Sequence, residues 1–225
     1  MRYRDLLQAQ PIDALRAGLQ AAVPGVDIDA ARLDAWRRVA PAAPRPIGLQ
    51  AQRQAGRVFV GAASALGRVT PATLRQLADL VATRGDGTIR LTPWQGILLP
   101  NVAARDGAAV LAHLAALGFA TRPGDPLASL AACAGTTGCD RGKADTKADA
   151  LRLAAALAAA GIAPDLHLSG CIRSCASARV AAFTLEAVAT GRYDLYARDD
   201  NAPHRFGRRI AERITPESAI AFLKP

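Results

Sequence analysis

The chain's four cysteines all fall between positions 133 and 175, as Cys133-Ala-Gly-Thr-Thr-Gly-Cys139 and Cys171-Ile-Arg-Ser-Cys175. The pairs are C-x5-C and C-x3-C. Four thiolates suit a tetrahedral zinc site or an iron–sulfur cluster. Zinc modules generally space the ligands of a pair by about two to four residues, so the first spacer counts against zinc. That spacer is rich in Gly and Thr, where backbone N–H groups can turn inward and tune a cluster's sulfurs. The plain alternative is four buried structural thiols, since free cysteine behaves as a small hydrophobe. No cysteine lies outside the two pairs, and a cluster held by Cys133, Cys139, Cys171 and Cys175 fits the pattern best.

Other side chains carry weaker signals. His113 falls on an apolar helical pattern and reads as structural. His167 alternates with Leu166 and Leu168 just before Cys171; it either faces the site or packs in the core. His204 lies in a polar loop and carries no signal. No phosphate-binding Gly-rich loop or nicotinamide fingerprint is present, so electrons must come from an external donor.

The chain has 225 residues, 51% of them apolar, which excludes a disordered protein. Its 28 Lys and Arg outnumber 19 Asp and Glu, for a net charge of +9. Such a charge permits nucleic-acid binding, but the basic residues are scattered and no helix-turn-helix, zinc-finger or aromatic RNA-binding pattern accompanies them. No nucleic-acid partner is expected. No apolar run reaches the roughly 20 residues that span a bilayer, so no membrane partner is expected either. Met1-Arg-Tyr-Arg-Asp5 leads into no apolar signal core. A cytoplasmic location follows, where cysteines are more often metal ligands or catalytic than disulfide-bonded.

Three segments position these residues. Residues 1–43 read as helices carrying Leu6, Leu7, Leu15 and Leu19, then Leu33, Trp36 and Val39, with a break at Pro24-Gly25 and a proline-rich linker at Pro41–Pro46. Residues 44–123 give a β-α-β-β-α order: a strand at 57–60, and a helix capped by Thr70 with Pro71 at its first turn and closed by Gly85. Strands at 88–91 and 97–99 and a second helix capped by Asp106 follow. One more short strand would complete a ferredoxin-like half-domain. Residues 124–225 form an α/β unit. In it a helix capped by Asp145 or Thr146 runs to Gly161, and strands are expected at 165–169, 180–188 and 193–196. Cys171 is expected to lead into a helix, and Thr215-Pro216 to start a terminal one. The fold class is α/β (α+β), with no second ferredoxin-like copy.

The two cysteine pairs resemble the sulfite/nitrite reductase superfamily, in which C-x5-C and C-x3-C hold a [4Fe-4S] cluster. Ile89-Arg-Leu-Thr-Pro-Trp-Gln-Gly-Ile-Leu-Leu99 resembles the strand-turn-strand of that superfamily's ferredoxin-like half-domain. Within it, Arg90-Leu-Thr-Pro-Trp94, Gly138-Cys-Asp-Arg-Gly-Lys-Ala-Asp-Thr146 and Ser169-Gly-Cys171 are closest to the precorrin-3B synthase family. The resemblance covers residues 44–225 and corresponds to a C-terminal half. It departs at Gln95, where Arg is expected.

The resemblance implies a cytoplasmic monooxygenase of cobalamin biosynthesis. The reaction would be oxygen-dependent hydroxylation of precorrin-3A at a ring meso carbon, with lactone formation giving precorrin-3B. It implies a [4Fe-4S] cluster, with a mononuclear non-haem iron or the substrate itself meeting dioxygen. Arg90, Lys143 and Arg173 would bind the carboxylates of the tetrapyrrole, with Arg141 near them, because guanidinium and ammonium groups suit such anions. A homodimer or a separate N-terminal-half chain would complete the pocket. The alternatives are a siroheme-dependent sulfite or nitrite reductase half, with Cys175 bridging cluster and haem, or a non-catalytic iron–sulfur electron-transfer subunit.

Overall fold

A computed structural model describes residues 9–25, 29–36, 45–177 and 180–223. The sequence expectations at Leu6, Leu7, Val39 and Pro41–Pro44 lie outside these. The chain separates into two compact units, Met1–Ala42 and Ala43–Pro225. In the first, α1 (Ile12–Ala22) follows Pro11 and α2 spans Ala30–Ala35. No residue of α1 is buried, and Ile12 and Leu19 are exposed.

The second unit holds two sheets. The first comprises β1 (Gly48–Ala51), β2 (Arg57–Ala63), β3 (Arg90–Leu91) and β4 (Gly96–Ala103), in the antiparallel order β1-β2-β4-β3. α3 (Pro71–Arg84) and α4 (Gly107–Ala116) cover one face. Leu77, Leu80 and Val81 of α3 and Val110 and Leu114 of α4 bury Val60, Ile97, Leu99 and Val102. Thr70 caps α3 as expected, its hydroxyl accepting from the Thr73 N–H. Asp106 does not cap α4; its carboxylate pairs instead with Arg84 at 3.2 Å.

Two differences from the sequence reading have local causes. β1, which the sequence did not suggest, occupies the free edge of β2 in the register Gly48↔Gly61 to Ala51↔Val58. The segment after α4 therefore pairs with β2 only through Ala63↔Ala120, and the expected closing strand is a single bridge. β4 also runs past Pro100. Pro100 has no N–H to pair, and the register shift opposite Val58–Val60, with Asn101 at φ 58°, absorbs it as a bulge.

The second sheet has the order β5-β6-β7-β8-β9: β5 (Leu130–Ala132), β6 (Leu166–Ser169), β7 (Phe183–Ala189), β8 (Arg192–Ala197) and β9 (Arg208–Ile214). β5, β6 and β7 are parallel, and β8 and β9 are antiparallel additions. The short helix α5 (Pro126–Ser129) precedes β5, and α6 (Thr146–Ala159) crosses from β5 to β6. Leu153 and Leu157 of α6 pack on Leu166, Leu168, Leu185 and Leu195. Burial of such side chains stabilises by roughly 1.5–3 kcal/mol each. The same core takes in Leu66, from the 3-10 turn Ala65–Gly67 that follows β2. The expected terminal helix is a 3-10 helix, Glu217–Phe222.

β9 was also not anticipated, because its Arg208-Arg-Ile-Ala-Glu-Arg-Ile214 run lacks a clean alternation. It is the sheet's outer strand, bent by register shifts against β8, with Arg213 at φ 48° and its N–H donating to Asp194 at 2.9 Å.

A buried polar pair locks α6 to β8. Tyr193 is fully buried, and its hydroxyl donates to Asp149 Oδ2 at 2.5 Å; Arg152 holds Oδ1 at 2.6 Å. Tyr193→Phe leaves that carboxylate oxygen without its donor, at a cost of about 1–3 kcal/mol. The check is the denaturant midpoint at neutral pH. An unchanged midpoint would mean the bond carries none of the stability.

Candidate functional site

The two cysteine loops leave the C-terminal ends of adjacent parallel strands. The register Ala132↔Leu168 places Cys133, directly after β5, beside the Gly170-Cys171 turn that follows β6. The strand ends of an open parallel sheet are where such folds build ligand sites. Cys133 N–H donates to Leu168 O at 3.2 Å, and Lys143 N–H to Gly170 O at 3.1 Å, so the first loop is stitched to the second at both its ends.

Three glycines let the loops meet. A Cβ on Gly142 would lie 2.6 Å from the Gly135 carbonyl carbon, and one on Gly135 (φ +66°) 2.6 Å from Thr146 N. A Cβ on Gly170 would come within 3.2 Å of Cys133 Sγ. With that space open, Gly170 N–H donates to Cys133 Sγ at 3.1 Å. The Thr146 hydroxyl, on the first turn of α6, lies 3.5 Å from the same sulfur and 2.9 Å from Cys133 O. The sulfur is thus reached by a backbone N–H and by a hydroxyl.

All four thiols are free, with Cys133 and Cys171 half-buried and Cys139 and Cys175 exposed. Among the described residues no three His, Cys, Asp or Glu side chains are gathered tightly enough to hold a metal ion. The donor types, the glycine cradle and the neighbouring strand ends fit a thiolate-held cluster. Cys171 does not start a helix; the segment to Ala176 is a series of turns, with Ser174 buried at φ 55° and its hydroxyl bonded to Ser177 O at 3.0 Å. Ser169 Oγ donates to Cys171 O at 2.6 Å. The left-handed backbone at Ser174 breaks the helical path, and these side-chain bonds support the turns instead.

Lys143 is exposed on the first cysteine loop, Arg173 is half-buried between Cys171 and Cys175, and Arg141 is exposed. Arg90 lies elsewhere. It is exposed on β3 and lines a cleft of about 370 Å³ with Gln52, Phe59, Leu98 and Asn101, on the sheet face opposite α3 and α4. Gln95 is a turn residue at φ 62° whose carbonyl accepts from both N and Oγ of Ser64, while its side chain packs on Gly67. His113 is exposed on α4, turned away from Val110 and Leu114.

Several residues near the cysteine loops were not singled out by the sequence. Glu186 of β7 stands opposite Ser169 in register and is buried; burial raises its pKa against the attraction of His204 and Lys143, with Asp194 adding to the rise. His204, far away in sequence, stacks on Tyr196 and reaches Glu186 at 3.4 Å. Lys147 donates to Leu66 O at 2.6 Å and Ala132 O at 3.0 Å. It sits one residue beyond the Gly138–Thr146 motif, and its partners come from two other elements, so no spacing rule could reveal it.

The geometry defines a class: an α/β protein with a ferredoxin-like half-domain and a second sheet whose adjacent strand ends carry the two cysteine loops. Residues 50–117 match the family model of the nitrite/sulfite reductase ferredoxin-like half domain. Over that segment and beyond it the chain is similar to proteins of the sulfite/nitrite reductase superfamily. It is 35% identical over 140 residues to the chloroplastic ferredoxin–nitrite reductase of Zea mays, covering 60% of this chain and 25% of that protein. It is 30% identical over 189 residues to precorrin-3B synthase of Sinorhizobium sp, covering 78% and 40%. The assimilatory ferredoxin-dependent nitrite reductase of Haloferax mediterranei is 32% identical over 187 residues, covering 80% and 31%. The chain thus spans less than half the length of each relative. The solved structure of Mycobacterium tuberculosis NirA protein shares the fold, with TM-score 0.68 and 24% identity over 96% of this chain and 42% of that one.

His167 supplies a pH signature. It is 1% exposed, its Nε2 has no partner among the described residues, and its register neighbour Thr184 is equally buried with an unpartnered hydroxyl. Burial, aided by the positive charge of Arg205 and opposed by Asp165, lowers its pKa to about 4. The native state therefore holds the neutral ring, while the unfolded chain takes up a proton near pH 6.5. The stability this contributes is complete above about pH 6.5 and is lost as pH falls through about 4. His167→Phe should flatten that part of the stability profile between pH 7 and 4. Parallel profiles for the two proteins would contradict the assignment.

Proposed function

We propose that the chain is one half of a tetrapyrrole-handling iron–sulfur oxidoreductase of the precorrin-3B synthase type. The carrying observation is the pair of cysteine loops seated side by side at the ends of β5 and β6. Cys133, Cys139, Cys171 and Cys175 hold a [4Fe-4S] cluster, which when bound passes electrons one at a time from an external donor. Lys143 and Arg173, on the same loops, supply cationic contacts for a carboxylate-fringed macrocycle, and Arg90 a bidentate one. Arg90 lines a cleft on the first sheet, and a further chain, a second copy or an N-terminal-half partner, would complete the pocket. The reaction on this reading is oxygen-dependent ring hydroxylation with lactone closure, and the chain's own residues orient the ring and exclude water.

A second reading, a siroheme-dependent nitrite or sulfite reductase half, is favoured by the higher identity of the plant nitrite reductase over its shorter alignment.

Anaerobically purified protein should carry iron and acid-labile sulfide near four each per chain, about the [4Fe-4S] complement. Broad absorbance without sharp haem bands supports the precorrin reading, and siroheme bands support the second. Zinc, or no metal at all, overturns both. Cys175→Ser should abolish or convert the cluster; unchanged iron and sulfide would remove Cys175 from the ligand set.

A further inference from the structure

Lys147 is a half-buried ammonium held, among the described residues, by two backbone carbonyls. It bonds Leu66 O and Ala132 O, and among the described residues it forms no ion pair with a carboxylate. Its charged neighbour is a second cation, Arg68, which together with burial pulls its pKa down; only the Cys133 thiol acts the other way. Withdrawing a charge from water without an opposite charge is costly, and a nearby anion offsets that cost. Four thiolates around a cluster provide such an anion, and Lys147 bonds the carbonyl of Ala132, the strand-end residue directly before the first of them.

The partners of Lys147 add a second reason. Leu66 is a non-glycine residue at φ 54°, a conformation that costs energy unless its surroundings fix it. Its side chain enters the core of the second sheet while the adjacent Gly67 packs under Gln95 of the β3–β4 turn. Lys147 thus clips the 3-10 turn after β2, on which Gln95 of the β3–β4 turn packs, to the strand that delivers Cys133.

We propose that Lys147 is a positioning residue of the iron–sulfur site, the clip that fixes the Cys133 strand end on the Leu66 turn and the internal counter-charge that holds the cluster's reduction potential up. The proposal rests on the cluster reading above. Reduction by dithionite adds one electron, hence one negative charge, beside this ammonium. Removing the ammonium disfavours the reduced form.

The test is a dithionite titration of the full chain, purified anaerobically, followed by electron paramagnetic resonance. K147Q keeps a donor for one carbonyl but loses the charge, and K147R keeps the charge. At matched iron and sulfide content, K147Q should move the midpoint negative by a tenfold change in the reduced-to-oxidised ratio, about 59 mV for a one-electron couple. K147R should stay close to wild type. K147M, which keeps the packing of the stem, replaces K147Q if the latter does not fold. Folded K147Q and K147M that take up no cluster, beside a K147R that does, also support the clip. A K147Q midpoint equal to wild type overturns the proposal, as does loss of the cluster in K147R with unchanged circular dichroism. A wild-type chain without iron and sulfide overturns the cluster reading itself, which separates that failure from this one.

Discussion

The parallel pairing of β5 with β6 is the constraint on which the site depends. β5 is only three residues long, yet its register against β6 decides which residue emerges beside Gly170. A slip of one residue would turn Cys133 to the opposite face and present Ala132 or Ala134 in its place. So short a strand cannot hold its register unaided. It is held by α6, whose leucines pin β6 from one side, and by the bonds of Lys147 and Thr146 to Ala132 and Cys133 carbonyls. The glycines at 135 and 142 then permit an approach that any side chain would block, and Gly170 leaves room beside the Cys133 sulfur.

Much of this was legible in the sequence, and the reasons are local. Thr70-Pro71 and Asp145-Thr146 mark helix starts because capping chemistry is written in adjacent residues. β6 could be read from Leu166 to Ser169 because it is a continuous buried run before a glycine. The cysteine pairs were visible because their chemistry constrains spacing. β1, β5 and β9 were not legible. β1 and β5 are three or four residues long and are strands only because a longer neighbour offers them an edge. Asp106 looked like a helix cap until Arg84, from another helix, claimed its carboxylate.

The site shows the same division. The ligand candidates lie in two sequence clusters, but the groups that shape their surroundings, Lys147 with Leu66 and Glu186 with His204, are joined only by the fold. Arg90 shows the reverse. The motif around it is conspicuous, and the structure carries it on the first sheet, in a cleft lined by Gln52, Phe59 and Leu98. The cysteine loops belong to the second sheet, and the 3-10 turn carrying Leu66 is a link between the two.

The outer strand β9 has a further consequence for how such a protein survives at high concentration. An open seven-residue strand is a template on which a second chain can add by backbone pairing, the first step of cross-β association. Here that rim carries Arg208, Arg209, Glu212 and Arg213, and the kink at Arg213 bends it out of plane. Like-charged copies approaching rim to rim repel one another. The arginine-rich composition thereby acts as a barrier to self-templating, a colloidal role that needs no ligand at all.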